Sequence, residues 1–255
     1  MPCHVARAAL VLLVLPAIAV TPQSADAQWG SLKGRIVVTG EVPPVPLLHA
    51  KGDVQVKEPI CRAHDIADES LVVDSESKGL ANVFVFLQRA PKEIHPDLAA
   101  APEEPLVFDQ KQCRFMPHAM VVRTGQTVLV KSDDPVLHNT HTFPTFNEPQ
   151  NIAVAPRARD GIPFSFRQRE PSPVQVKCDL HPWMTAWWLV VDHPYAALSD
   201  EQGAFTIENL PAGEHKFRVW HERAGWLDRS LSVVVPDGET AEISIEVPAD
   251  ELKAK

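Results

Sequence analysis

The chain has 255 residues, 24 Lys and Arg against 33 Asp and Glu, a formal charge of -9, and 45% hydrophobic residues. That is length for one large or two ordinary domains, with enough apolar content to fill their cores. An acidic chain without a basic run is a poor binder of nucleic acid or anionic lipid. With 24 prolines against a single tyrosine, a helical bundle is disfavoured and short strands joined by stiff loops are expected.

Residues 1–27 read as an export signal. Arg7 supplies a basic start, residues 8–20 form an apolar run broken only by Pro16, and Ala25-Asp26-Ala27 gives a small-x-small cleavage pattern before Gln28. The run is too short for the ~20 residues that span a bilayer. The longest later apolar stretch is only residues 186–191. A periplasmic or secreted protein is predicted, with no transmembrane segment in its mature chain.

Strand patterns then follow in order: 34–39 (GRIVVT), 82–87 (NVFVFL), 119–123 (AMVVR), 127–131 (TVLVK), 163–167 (PFSFR), 173–178 (PVQVKC) and 186–191 (AWWLVV). The series ends with 204–208 (AFTIE), 215–220 (HKFRVW), 230–235 (SLSVVV) and 241–247 (AEISIEV). Gly, Asn, Asp and Pro punctuate the gaps. Residues 40–57 and 143–161 read as Pro-rich loops, and 90–105 as a linker with at most one helical turn. An all-β protein of two sandwiches is predicted.

Export gives the cysteines a meaning. Cys61, Cys113 and Cys178 remain after cleavage, and in an oxidising compartment one of three is left over. Cys61 and Cys113 lie among polar and turn-forming residues with no ligand-like pattern, so they are expected to form a disulfide. Cys178 is the unpaired one.

Its neighbours are informative. In Val176-Lys177-Cys178-Asp179-Leu180-His181-Pro182-Trp183-Met184 a strand delivers a thiol, and a short turn delivers an imidazole and a thioether. These are soft ligands, and a second imidazole would complete a trigonal His2Cys copper site with a weak axial Met. His138, just past the strand TVLVK, is the obvious supplier. The bland alternative is a buried free cysteine beside packing residues. Zinc is disfavoured by the methionine.

The other histidines carry less. His141 forms H-x2-H with His138, but residues three apart on an extended segment face opposite ways, so a rim position is expected. His118 is expected at the surface or between domains. His64 lacks any ligand pattern beyond Cys61-x2-His64, Trp220-His221-Glu222 reads as a strand end, and Asp133-Asp134 suggests no acid–base role. No H-x-H occurs, which argues against a multicopper oxidase, and the single loop cysteine argues against a dinuclear thiolate-bridged centre.

On these residues the segment 104–192 resembles the type 1 (blue) copper proteins, the cupredoxins, with the C-x2-H-x2-M loop of the amicyanins. His138-Asn139 resembles their upstream His-Asn, and residues 112–122 and 125–131 their opening strands. The resemblance implies His138, Cys178 and His181 as equatorial copper ligands and Met184 as the axial one, with the Asn139 backbone N–H bonded to the cysteine sulfur. It also implies His181 as a surface electron port, with Pro182 and Trp183 around it.

The rest is similar to carboxypeptidase-regulatory-like (transthyretin-like) sandwiches. Their D-x-x-G-x-F-x-I and L-P-x-G runs match Asp200 to Ile207 and Leu210 to Gly213, and residues 34–38 and 79–85 match their opening strands. Residues 28–103 and 193–255 would then form one outer sandwich interrupted by the copper domain.

The expected function is single-electron transfer by one type 1 copper per chain, without enzymatic activity, to a redox partner such as a cytochrome or dehydrogenase. Two other classes remain open: a carbohydrate- or protein-binding scaffold with structural copper or none, and a copper enzyme or sensor using His118 or His141.

Overall fold

The computed structural model describes residues 28–253. The export signal expected over 1–27 lies outside the described residues. The protein is all-β: among the described residues sixteen strands accompany one short α-helix and two 3-10 turns, and no described helix is long and apolar enough to cross a membrane.

The strands sort into four sheets. In the first, β1 (Trp29–Thr39) lies between β13 (Ala204–Pro211), antiparallel to it, and β16 (Thr240–Pro248), parallel to it. The second runs β12 (Ala196–Leu198), β2 (Phe84–Leu87), β14 (Gly213–His221), β15 (Gly225–Val235). Alternation puts Leu32, Ile36, Phe205 and Ile207 of the one sheet against Val85, Leu87, Phe217 and Val219 of the other. This is the outer sandwich.

The inner sandwich has a five-stranded sheet: β5 (Ala119–Arg123), β11 (Thr185–Val191), β10 (Val174–Lys177), β7 (His138–Phe143) and β8 (Asn151–Val154). Facing it is the sheet of β4 (Arg114–Met116), β3 (Leu106–Lys111), β6 (Val128–Val130) and β9 (Ile162–Phe164). Phe108, Phe115, Val122, Phe166, Val176 and Trp188 fill the space between them. All nine strands fall between β2 and β12 in the chain, so the inner sandwich is inserted into the outer one.

Two strands read as continuous apolar runs because both of their faces are covered. Val85 and Leu87 of β2 enter the outer core, while Phe84 and Phe86 face the inner sandwich. Ala186, Trp188 and Val190 of β11 enter the inner core, while Leu189 and Val191 meet β2 and Trp220. Trp187 packs on Trp220 across this junction, with ring centroids 4.8 Å apart.

The D-x-x-G turn has a local cause. Asp200 Oδ1 accepts the N–H of Gln202 and of Ala204. Gly203 sits at φ +78, where a Cβ would lie 2.2 Å from the Ile36 carbonyl oxygen, so only glycine fits.

Five strands differ from the sequence expectation. β8 falls in the Pro-rich stretch that reads as a loop, β3, β7 and β12 fall in segments given no strand pattern, and β4 lies within 112–122, which resembles opening strands but is given no pattern of its own. β7 shows the reason: HNTHTF has no apolar alternation, yet Thr140 and Thr142 are fully buried. Gln110 Nε2 donates to Thr140 Oγ1 at 3.2 Å, so hydrogen bonds replace the apolar pattern. The linker does hold a single helical turn, at Pro96–Leu98.

The 47–66 segment, which the sequence assigns to the outer sandwich, instead packs on the inner one. Val56, Cys61 and Ile66 join its core, and the helix α1 (Pro59–Arg62) carries Cys61 to the expected disulfide with Cys113, Cα–Cα 5.3 Å.

Candidate metal centre

Three chain segments meet at one end of the inner sandwich. His138 opens β7, Cys178 follows β10, and His181 and Met184 lie in the turn before β11. The turn is held by its backbone: the Met184 N–H donates to the His181 carbonyl at 2.9 Å, and the Cys178 N–H to the Met184 carbonyl at 3.2 Å. Their side chains are all buried, with Cys178 2%, His138 0%, His181 1% and Met184 1% exposed. Cys178 is a free cysteine.

The donor atoms converge. His138 Nδ1 and His181 Nδ1 are 3.0 Å apart, and Cys178 Sγ lies 4.0 Å from the first and 3.5 Å from the second. His138, Cys178 and His181 thus present three ligand atoms within 4.8 Å of one another.

Protons show what fits between them. His138 Nε2 donates to Asp134 Oδ2 at 2.9 Å, so in the neutral ring the tautomer is fixed and Nδ1 is a lone pair. As a neutral ring His181 cannot serve both of its sides. With the proton on Nε2, two lone pairs face each other; with the proton on Nδ1, the Nε2 lone pair faces Glu58 Oε2 at 3.5 Å. His181 Nε2 in fact has no hydrogen-bond partner. A proton or a metal ion shared by the two Nδ1 atoms removes the conflict, and two imidazole nitrogens beside a thiol are a donor set that fits a soft metal ion.

The electrostatics agree. Burial opposes ionisation of Cys178, but hydrogen bonds from His138, His181 and the backbone N–H of Asn139 and Leu180 outweigh it and bring the thiol from 9.0 down to about 6. Burial likewise opposes charge on His138, yet Asp134 and Cys178 pull it up from 6.5 to about 9. The point between the rings therefore favours positive charge. Asn139 Oδ1 lies 3.3 Å from Cys178 Sγ and accepts the Asp179 N–H at 2.7 Å.

Asp134 orients the His138 ring, a part that the sequence, where Asp133-Asp134 suggests no acid–base role, does not assign. Its oxygens accept the N–H of Gln112 at 2.7 Å and of Cys113 at 2.8 Å as well as the His138 proton. Burial pushes its carboxyl up, but these bonds more than compensate and hold it below the usual carboxylate range. The signal was its place four residues before His138. Asp134→Asn is expected to weaken metal binding by ~10- to 100-fold, as loss of an orienting carboxylate does. Competition titration with a chelator checks this, and unchanged affinity would make Asp134 a loop clamp only.

The remaining histidines stand apart from the centre. His141 lies at the rim, where its Nδ1 donates to Asp179 at 3.1 Å and stacks on Phe143, with centroids 4.2 Å apart. His118 sits between the sandwiches, paired with Glu222, which also accepts Trp187 Nε1–H at 3.0 Å. His221 ends β14 and stays neutral, its ring pushed by burial down to about 4.

One expectation is corrected. His181 was to be a surface port, but its edge is covered by the 47–66 segment and its side chain is 1% exposed. The solvent-facing neighbours are Leu180, 52% exposed, and the half-buried Trp183, which packs on His181 with centroids 5.2 Å apart. Trp183, Met184, His118 and Glu222 line a cleft of ≈ 460 Å³ between the sandwiches.

No family model matches the sequence, and no curated protein matches it. Among solved structures, a purple cupredoxin from Nitrosopumilus maritimus aligns with 34% of this chain and 99% of its own, at 17% identity and TM-score 0.28. A reduced amicyanin variant aligns with 36% of this chain and 88% of its own, at 17% identity and TM-score 0.31. A copper-containing nitrite reductase from Thermus scotoductus SA-01 aligns over 40% of this chain but 27% of its own, at 18% identity and TM-score 0.29.

Proposed function

We propose that the protein is an exported, mononuclear type 1 copper protein that carries single electrons. The observation behind this reading is the convergence of two imidazole Nδ1 atoms and one thiol in a buried pocket beside a buried methionine. His138, Cys178 and His181 would hold the copper and Met184 would be its weak axial neighbour. Bound copper would supply the Cu(II)/Cu(I) couple.

The chain's own residues do the rest. Cys178 provides a thiolate whose charge is steadied by the N–H groups of Asn139 and Leu180. Asp134 fixes the His138 ring, and the backbone bonds of the 178–184 turn fix the other arm. Ligands held in this way move little when the charge changes. Burial keeps bulk water away, which suits electron transfer.

The partner is a redox protein, a cytochrome or dehydrogenase. The acidic chain favours a basic docking face on it. Exposed Leu137 and Leu180, next in sequence to His138 and His181, offer apolar contact.

Metal analysis together with visible and EPR spectra tests the reading. One copper per chain and an intense thiolate-to-Cu(II) absorption are expected. Two tightly held equivalents in the disulfide-intact protein, or a colourless Cu(II) form, would overturn it.

A further inference from the structure

The cover over His181 is built rather than incidental. Glu58 Oε2 stands 3.5 Å from His181 Nε2, a buried nitrogen with no other polar partner. His49 of the same segment packs on Trp183 with centroids 5.1 Å apart, and Trp183 packs on His181. Trp183 Nε1 donates to the Cys113 carbonyl at 3.0 Å.

The disulfide lies close to both histidine arms. A sulfur of Cys61 lies within 4.8 Å of a nitrogen of His181 and an oxygen of Glu58. The Cys113 sulfur lies within 4.8 Å of Asp134 and His138, and the Cys113 N–H donates to the carboxylate that orients His138. Glu58 sits three residues from Cys61 and immediately before α1, so the position of its carboxylate depends on that cross-link.

We infer that Glu58 is a positioning residue for His181, presented by a cap that the Cys61–Cys113 disulfide locks, so that the thiol–disulfide state governs the environment of the metal. This rests on the copper reading. With copper on Nδ1, His181 carries its proton on Nε2, and the facing carboxylate makes the ring a stronger donor, as outer carboxylates do for metal-bound histidines. A stronger donor and a nearby negative charge favour Cu(II) over Cu(I). A dithiol reductant would transfer two electrons and two protons to the disulfide, leaving two thiols here and a disulfide on itself. The freed cap would take Glu58 away from His181.

The test compares Glu58→Gln with the wild-type residue in two backgrounds. In the disulfide-intact protein, Glu58→Gln is expected to change the Cu(II)/Cu(I) affinity ratio about tenfold towards Cu(I), a rise in potential of ~59 mV for one electron. In dithiol-treated protein, or with Cys61→Ser and Cys113→Ser together, the same substitution is expected to do little, because the carboxylate is no longer there. An equal shift in both backgrounds, or none in the intact one, overturns the inference.

A second readout needs no metal. In the metal-free protein, carbethoxylation of His181, followed by peptide mass mapping, is expected to be slow with the disulfide intact and fast once it is opened. Equal rates would show that the disulfide locks no cap. A protein that fails to develop thiolate–copper colour would sink the copper reading, while this labelling would still decide the cap.

Discussion

Cu(II)-loaded Cys178→Ser is expected to be colourless, whereas Met184→Leu is expected to stay coloured with a raised reduction potential. The thiolate is the charge-transfer donor, and a hydroxyl cannot replace it. The thioether is a weak, long axial ligand that tunes the site. Its loss removes electron density from the more electron-poor Cu(II), and leucine fills similar volume, so the fold should tolerate the change. Absorption spectra and redox titration of both variants decide this. If Met184→Leu matched the parent in spectrum and potential, Met184 would be a packing residue, and His138, Cys178 and His181 would stand without it.

Opening the disulfide is expected to destabilise the metal-free protein substantially. Its two cysteines are 52 residues apart, and releasing a loop of that length is worth up to ~4 kcal/mol on the chain-entropy account. Both cysteines are fully buried in the inner core, so little relaxation is available. Guanidinium unfolding with and without a reductant measures the difference, read at the midpoint with the slope compared. A change below ~1 kcal/mol would mean that Val56, Ile60 and Ile66 hold the segment by packing alone.

The sequence conveyed much of the candidate site because its chemistry is concentrated in residues of few types. Cys178, His181 and Met184 lie within one turn, and the odd cysteine of a chain read as exported calls for an explanation. The disulfide followed from the same count. Most strands with β-branched alternation were legible, including β1, β5, β10 and β16. Among those missed, β7 buries threonines through hydrogen bonds, and β8 lies within a Pro-rich stretch that reads as loop.

What the sequence could not convey was proximity between distant segments. Glu58 and His49 are ordinary polar residues in a region of turn-formers, and nothing local says that they close over His181. Asp134 was visible as one of an adjacent pair, but its role depends on two backbone N–H groups of the 112–113 turn. Burial of His181 follows from the same long-range packing, which is why the expected surface port is covered.

The insertion of one sandwich within the other also governs the order in which the chain can fold. β1 lies near the beginning of the described chain, yet its partners β13 and β16 come near the end, so pairs such as Gly34 with Phe205 and Ile36 with Ile245 span most of the length. During synthesis β1 emerges with both edges open and an apolar face of Leu32, Ile36 and Val38 exposed. The inner sandwich can complete itself first, since its nine strands are contiguous in the chain. Its entry and exit strands, β2 and β12, then pair with each other, Ala196 beside Phe86, and bring the two halves of the outer sandwich together. Assembly of the outer sheets is therefore a late, long-range closure, slow by topology and exposed to aggregation until β16 arrives.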